Sequence, residues 1–326
     1  MRTPMVSVIA ILLVPLLDAA PALALSPKTW VSHNGSDTFG CLVPTNPCAT
    51  FAGALAKTAP GGEIGVVDAG DYGNPFSPII DKSINITNDG AGEAGIFAGF
   101  GTGRGLQVNA GVGDIVSLRG LVIDGQGSGA FGIEIDLASA VHVQNCVIRN
   151  FLGNGFGIAT FTTGNTQLFV SDTIIFNNGS MATTGGILVQ PAGSGSANVV
   201  LDRVHLENNV LGLLVDGSHG TGNGAHVIIR DSVVSGNAGD GIRAVSTPGT
   251  APAFLVVEHS SVVNNVGVGI SANGPRATML LNDNTITRNG TGISAINSGQ
   301  LISYGNNKNN NNIGAEGAPT GFYSQM

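Results

Sequence analysis

General acid–base chemistry needs two titratable groups within hydrogen-bond reach of one substrate. In this chain of 326 residues the Gly-rich stretch DGSHGTGNGA offers Asp216 and His219, and Arg243 follows one repeat later. These three are the catalytic candidates, although a solvated Gly/Ser loop without activity explains the stretch more simply. A second set is acidic. Asp172, Asp202, Asp231, Glu258 and Asp283 recur at similar places, interrupted by Arg203, Arg230 and His259. Stacked carboxylates could hold Ca²⁺, which takes six to eight oxygen ligands. Turn capping accounts for the same residues without a metal, because Asp and Asn hydrogen-bond their own backbone. No other cofactor is suggested: no Cys/His cluster has zinc spacing. The GxGxxG match at Gly127–Gly132 runs into a strand start, whereas a dinucleotide site needs a following helix.

Those side chains need a scaffold, and composition restricts which. Gly stands at 50, aromatics at 5% and charged residues at 10%, against roughly 25% charged in an average soluble domain. Asn, Ser, Thr and Gly must therefore cover the surface. The net charge is −8 with 13 Lys and Arg, which argues against a nucleic-acid partner, since phosphate binding needs a clustered basic face. Residues 1–24 read as a signal peptide: Arg2 is basic, residues 6–17 are apolar, and Ala22-Leu23-Ala24 is a small-x-small cleavage site. The apolar run is short for a bilayer, and no later run is longer. A mature chain from about Leu25, secreted or periplasmic and without a transmembrane segment, is expected. Cys41 and Cys48 suit a small-loop disulfide in such a compartment, with two free thiols as the alternative. Cys146 sits among aliphatics and reads as a buried small hydrophobe.

A repeat supplies the architecture. Asn289, Asn265, Asn237, Asn209 and Asn178 are spaced by 24, 28, 28 and 31 residues, and the frame continues back to Phe151 and Gln126. Ten residues before each reference stand Val116, Val141, Leu168, Val199, Val227, Leu255 and Met279. Two further aliphatic columns lie eight and three residues before, and each reference is followed by Gly-Ile or Gly-Leu. Period-two alternation places one set of side chains on a single face. Each unit thus holds three short strands, and stacking units turns each column into a ladder at about 4.8 Å. Asn suits the corner because it tolerates the left-handed conformation and can hydrogen-bond along a stack. Sequons at Asn34, Asn85, Asn178 and Asn289 are expected by chance in so Asn-rich a chain.

The chain divides accordingly into residues 25–62, with an N-terminal strand, the disulfide loop and a capping helix; residues 63–312, a parallel β-helix; and a loose tail from 313 to 326. The helix is read from NPCATFAGALAKTAPGG, with Pro47 in its first turn. At the far end ISYGNNKNNNN keeps Ile302 but puts Asn307 where an aliphatic belongs.

WVSHNGSD, the NPCATFAGALAKTAPGG helix, EIGVVDAGDYG and the repeated coils together resemble the pectin-lyase-like superfamily of secreted β-helix proteins, from about residue 29 to 312. The resemblance implies an all-β, single-domain right-handed parallel β-helix with three strands per coil and coils of about 21–31 residues; the handedness comes from the resemblance. That fold hosts lyases, hydrolases, esterases, epimerases and non-catalytic modules. The polygalacturonase motifs do not carry over: Asn-Thr-Asp, an Asp pair and Arg-Ile-Lys are missing, and Ser218-His219-Gly220 is the nearest piece. An exported non-catalytic scaffold or carbohydrate-binding module is therefore expected. The alternatives are a polysaccharide lyase or glycoside hydrolase with a site assembled across coils, and a surface adhesin or spike component. The outward positions Phe169, Val200, Ile228, Val256 and Leu280 form an apolar ladder, which marks an interface. Long loops, another subunit in self-association, or a polysaccharide or cell-envelope component would cover it.

Overall fold

Alternating apolar residues must bury one face, and a single short strand cannot do so alone. The computed structural model describes residues 25–73, 77–98 and 103–323; the segment read as a signal peptide lies outside them. Among the described residues the strands form parallel sheets of twelve, ten and nine members. Val116, Val141, Leu168, Val199, Val227, Leu255 and Met279 face one another in the twelve-stranded sheet. Ile123, Ile148, Ile175, Leu206, Val234, Val262 and Ile286 stack in the ten-stranded sheet. Ile133, Ile158, Ile187, Leu213, Ile242, Ile270 and Ile293 stack in the nine-stranded sheet. All are buried, each contributing roughly 1.5–3 kcal/mol. A one-residue slip would turn a whole strand's ladder to solvent.

Polar ladders hold two of the corners. Where the ten-stranded sheet passes to the nine-stranded one, the Asn178 amide donates to Asn209 Oδ1 (3.0 Å), Asn237 to Asn265 (2.8 Å), Asn265 to Asn289 (2.8 Å) and Asn289 to Asn312 (3.1 Å). Each Oδ1 also accepts the backbone N–H of the Asn in the coil before. Asp could not replace it, since a carboxylate has no N–H to pass on and like charges would stack. The Gly of each Gly-Ile pair follows from this ladder. A Cβ on Gly212 would meet the Gly241 carbonyl at 2.4 Å, and one on Gly269 would meet Asn289 Nδ2 at 2.8 Å.

The left-handed residue at this corner is the one before the ladder Asn: Asn177, Asn208, Asn264 and Arg288 have φ of 55°, 53°, 57° and 57°. This corrects the expectation that the ladder Asn itself turns the chain. Its side chain must point inward to pair, and the strained position falls to its neighbour. A second ladder, invisible in the repeat, lines the corner between the twelve- and ten-stranded sheets. There Ser232, Ser260, Asn284 and Asn307 accept the backbone N–H of Val204, Ser232, Ser260 and Asn284 in turn.

The ends differ from expectation in detail. The helix is short, Phe51–Leu55, capped by Thr50, whose hydroxyl accepts the Gly53 N–H. Pro47 is not in it, because Cys48 pairs with the first strand: its N–H donates to the Trp30 carbonyl (2.8 Å). Phe51, Ala54 and Leu55 pack into the core, and Cys41 and Cys48 form the disulfide. Strand structure already starts at Thr58, in Thr58–Val66. Asn307 continues the Asn284 ladder (2.9 Å), and it is Asn309 that stands over Ile286 in place of an aliphatic. The expected loose tail is tied to the last coil: Gly292 and Ile293 donate to the Ala315 and Glu316 carbonyls, and Thr320 to that of Leu301.

Candidate functional site

Three long loops, residues 190–195, 217–223 and 246–252, leave the nine-stranded sheet in neighbouring coils and stack on one another. Thr221 N–H donates to the Gly193 carbonyl (2.6 Å) and Ala251 N–H to that of Gly220 (2.8 Å). Asp216 closes the strand Leu211–Asp216. It is buried and accepts from Gln190 Nε2 (3.0 Å) and the Ser218 N–H (2.8 Å). His219 Nδ1 lies 3.4 Å from Asp216 Oδ2 and 3.1 Å from Ser218 Oγ. Both contacts meet the same ring nitrogen, whereas a Ser–His–Asp relay uses opposite nitrogens. Arg243 does not join them. Its Nε donates to Asp240 Oδ2 (2.8 Å), which also accepts from Ser271 (3.0 Å), while Asp240 Oδ1 takes the Val268 N–H. The structure thus brings Asp216 and His219 together and commits Arg243 to a separate structural pair.

The acidic set splits: Asp202 and Glu258 end strands of the twelve-stranded sheet, and the other three serve a turn. Asp172, Arg203, Asp231, His259 and Asp283 share one left-handed corner position, with φ of 50°, 51°, 50°, 48° and 51°. Side-chain type varies there because the backbone, not a ligand, sets the demand. Arg203 pairs with Asp172 (2.7 Å) and with Asp202, and Arg230 with Asp202 (3.0 Å). The Arg203 hydrogen bond holds the Asp172 carboxyl below its ordinary value. Among the described residues no group of three or more His, Cys, Asp or Glu side chains could hold a metal. Cys146 is buried, and burial pushes its thiol up to about 11, which leaves it unreactive.

The outward ladder is in register: Phe169, Val200, Ile228, Val256 and Leu280 stand on consecutive strands of the twelve-stranded sheet. It runs further than the sequence suggested, with His142 before Phe169 and Ile302 after Leu280. The same column, followed one coil each way, would have found both. His142 stacks flat on Phe169, with ring centroids 4.8 Å apart and planes at 11°. His226 and Phe254, one column over, pack at 5.9 Å. The long loops leave this face open: Ile228 is 39% exposed, and its neighbours are half-buried. A shallow groove of about 310 Å³ lies among Phe169, Val200, His226, Ile228, Phe254 and Val256.

A family model described as a right handed beta helix region matches residues 193–313. Among solved structures, the crystal structure of pectate lyase Pel9A superposes with a TM-score of 0.68 and 15% identity, over 93% of this chain and 80% of that one. The fold is a pectin-lyase-like right-handed parallel β-helix. At such identity the likeness carries the fold of this β-helix and not its activity. No curated protein sequence matches it. The β-helix buries two of its four sequons, Asn178 and Asn289, inside the polar ladder, so they read as architecture. Among the described residues no helix is long and apolar enough to cross a membrane.

Proposed function

We propose that this chain is an exported, non-catalytic β-helix that binds a polysaccharide on the outer face of its twelve-stranded sheet. The observation that carries this is the open apolar ladder with its ring stacks. Sugar rings present apolar C–H faces that pack on flat side chains, and a contiguous exposed apolar surface marks an interaction site. The acid–base candidates support a non-catalytic role, since Arg243 is spent on Asp240 and His219 meets Ser218 and Asp216 through one nitrogen. The Cys41–Cys48 disulfide fits an oxidising, extracytoplasmic compartment. Co-sedimentation with a panel of insoluble polysaccharides tests the idea, and a protein that stays in solution throughout the panel removes it.

A lyase is the second reading, favoured by the structural likeness to pectate lyase Pel9A. It predicts unsaturated sugar products, read as ultraviolet absorbance. Their release from any polymer in the panel would replace the binding module with an enzyme.

A further inference from the structure

We propose that the outer face of the twelve-stranded sheet selects an uncharged polysaccharide chain and holds it along the helix axis. This rests on the polysaccharide-binding reading above and adds the ligand's charge and direction.

The charge follows from what lines the groove. Its side chains are aliphatic, aromatic, amide and imidazole, with no carboxylate, lysine or arginine. Two nearby cations are paired, Arg230 with Asp202 at 3.0 Å and Arg203 with Asp172 at 2.7 Å; Arg276 lies outside the groove lining, where it donates to the Thr250 carbonyl and keeps its charge. A polyanion laid here would lose water against an apolar surface without a free cation in the groove to replace it, and it would approach a chain of net charge −8. An uncharged chain incurs neither cost.

The direction follows from register. The apolar row His142, Phe169, Val200, Ile228, Val256, Leu280 and Ile302 crosses the coils instead of following one strand. Six inter-strand steps span about 29 Å. A second row, Gln167, Asn198, His226, Phe254, Thr278 and Gln300, runs parallel to it. A linear pyranose chain has apolar ring faces and hydroxyl edges. Along the axis it meets the apolar row with its faces and the amides and hydroxyl with its edge; along a strand it would meet one apolar residue, or two at Phe254 and Val256, and then polar ones.

The test is calorimetric titration of the folded chain with cello-, xylo- and chito-oligosaccharides of increasing length, and with polygalacturonate, at low and high salt. Uncharged oligosaccharides should bind with affinity that rises until the chain spans about 29 Å and is indifferent to salt. Ile228→Asp, in the middle of the row, should weaken binding about tenfold while keeping the unfolding midpoint, and Phe254→Ala should weaken it by less. Tighter, salt-sensitive binding of polygalacturonate would overturn the selection for an uncharged ligand and leave the binding function standing. Affinity that stops growing at one or two sugars would overturn the axial direction. Normal binding by a folded Ile228→Asp protein would move the ligand off this face. Silence of the unmodified protein toward every sugar would instead strike the polysaccharide reading itself.

Discussion

Two ladders of this molecule invert the usual placement of polar and apolar side chains. The amides from Asn178 to Asn312 lie at an inner corner, and those from Asn178 to Asn289 are buried. The apolar side chains from Phe169 to Ile302 lie outside, with Ile228 39% exposed. Both stack at the same inter-coil spacing, so geometry alone does not separate them. Satisfaction does. A buried amide is tolerated because the coil above and the coil below supply its partners. Among the described residues nothing covers the exposed apolar row. The inner ladder is satisfied within the coils, whereas the outer one is left open, and the proposed ligand is what would cover it.

Substitutions can break this contrast, beginning with the core that both ladders depend on. Ile286→Asp puts an unpaired carboxylate into a fully buried aliphatic column and should cost about 4 kcal/mol or more, read as a large fall in the denaturation midpoint. Asn265→Ala comes next. It removes the acceptor of the Asn237 N–H and amide and the donor to Asn289, at about 1–3 kcal/mol for each buried group left unpaired. Should Asn265→Ala prove neutral, the inner ladder would be filler and not a support. Thr285→Asp, beside Ile286 but outward, should change stability by no more than about 0.5 kcal/mol; equal losses at 285 and 286 would refute the register. The smallest effect is protonic. His142, stacked on Phe169, has its pKa lowered from 6.5 by lost solvation. The unfolded chain therefore takes the proton first, and stability should decline slightly as pH falls from above 6.5 through the folded value. His142→Phe keeps a ring on Phe169 and should flatten that slope, as followed by thermal melts across pH.

Much of the fold was legible because it is written in repetition. Val116 to Met279, Ile123 to Ile286 and the Gly-Ile strand starts pair as their spacing implies. The ends were harder. Pro47 looked like a helix start, yet Cys48 is held by the first strand. The tail after 313 looked loose because it lacks the aliphatic column, yet its backbone caps the last coil. The site was legible only in part. Asp216 and His219 are neighbours in sequence and in space. Arg243 is consecutive with Leu214 in register, but its guanidinium turns to Asp240, a choice that no spacing encodes.

By itself the sequence determined the class of fold, the register of the coils and the columns that face in, because side-chain alternation and a near-constant repeat leave one arrangement that buries the inward aliphatic rows together. Only the tertiary structure decided which corner residue is left-handed, that a second polar ladder exists, that Arg203 and Arg230 pair with Asp172 and Asp202, and that the long loops stack on one another and leave the outer ladder bare. Each of these depends on which atoms of one coil reach those of the next, 23 to 31 residues away, and residue type alone does not carry that information.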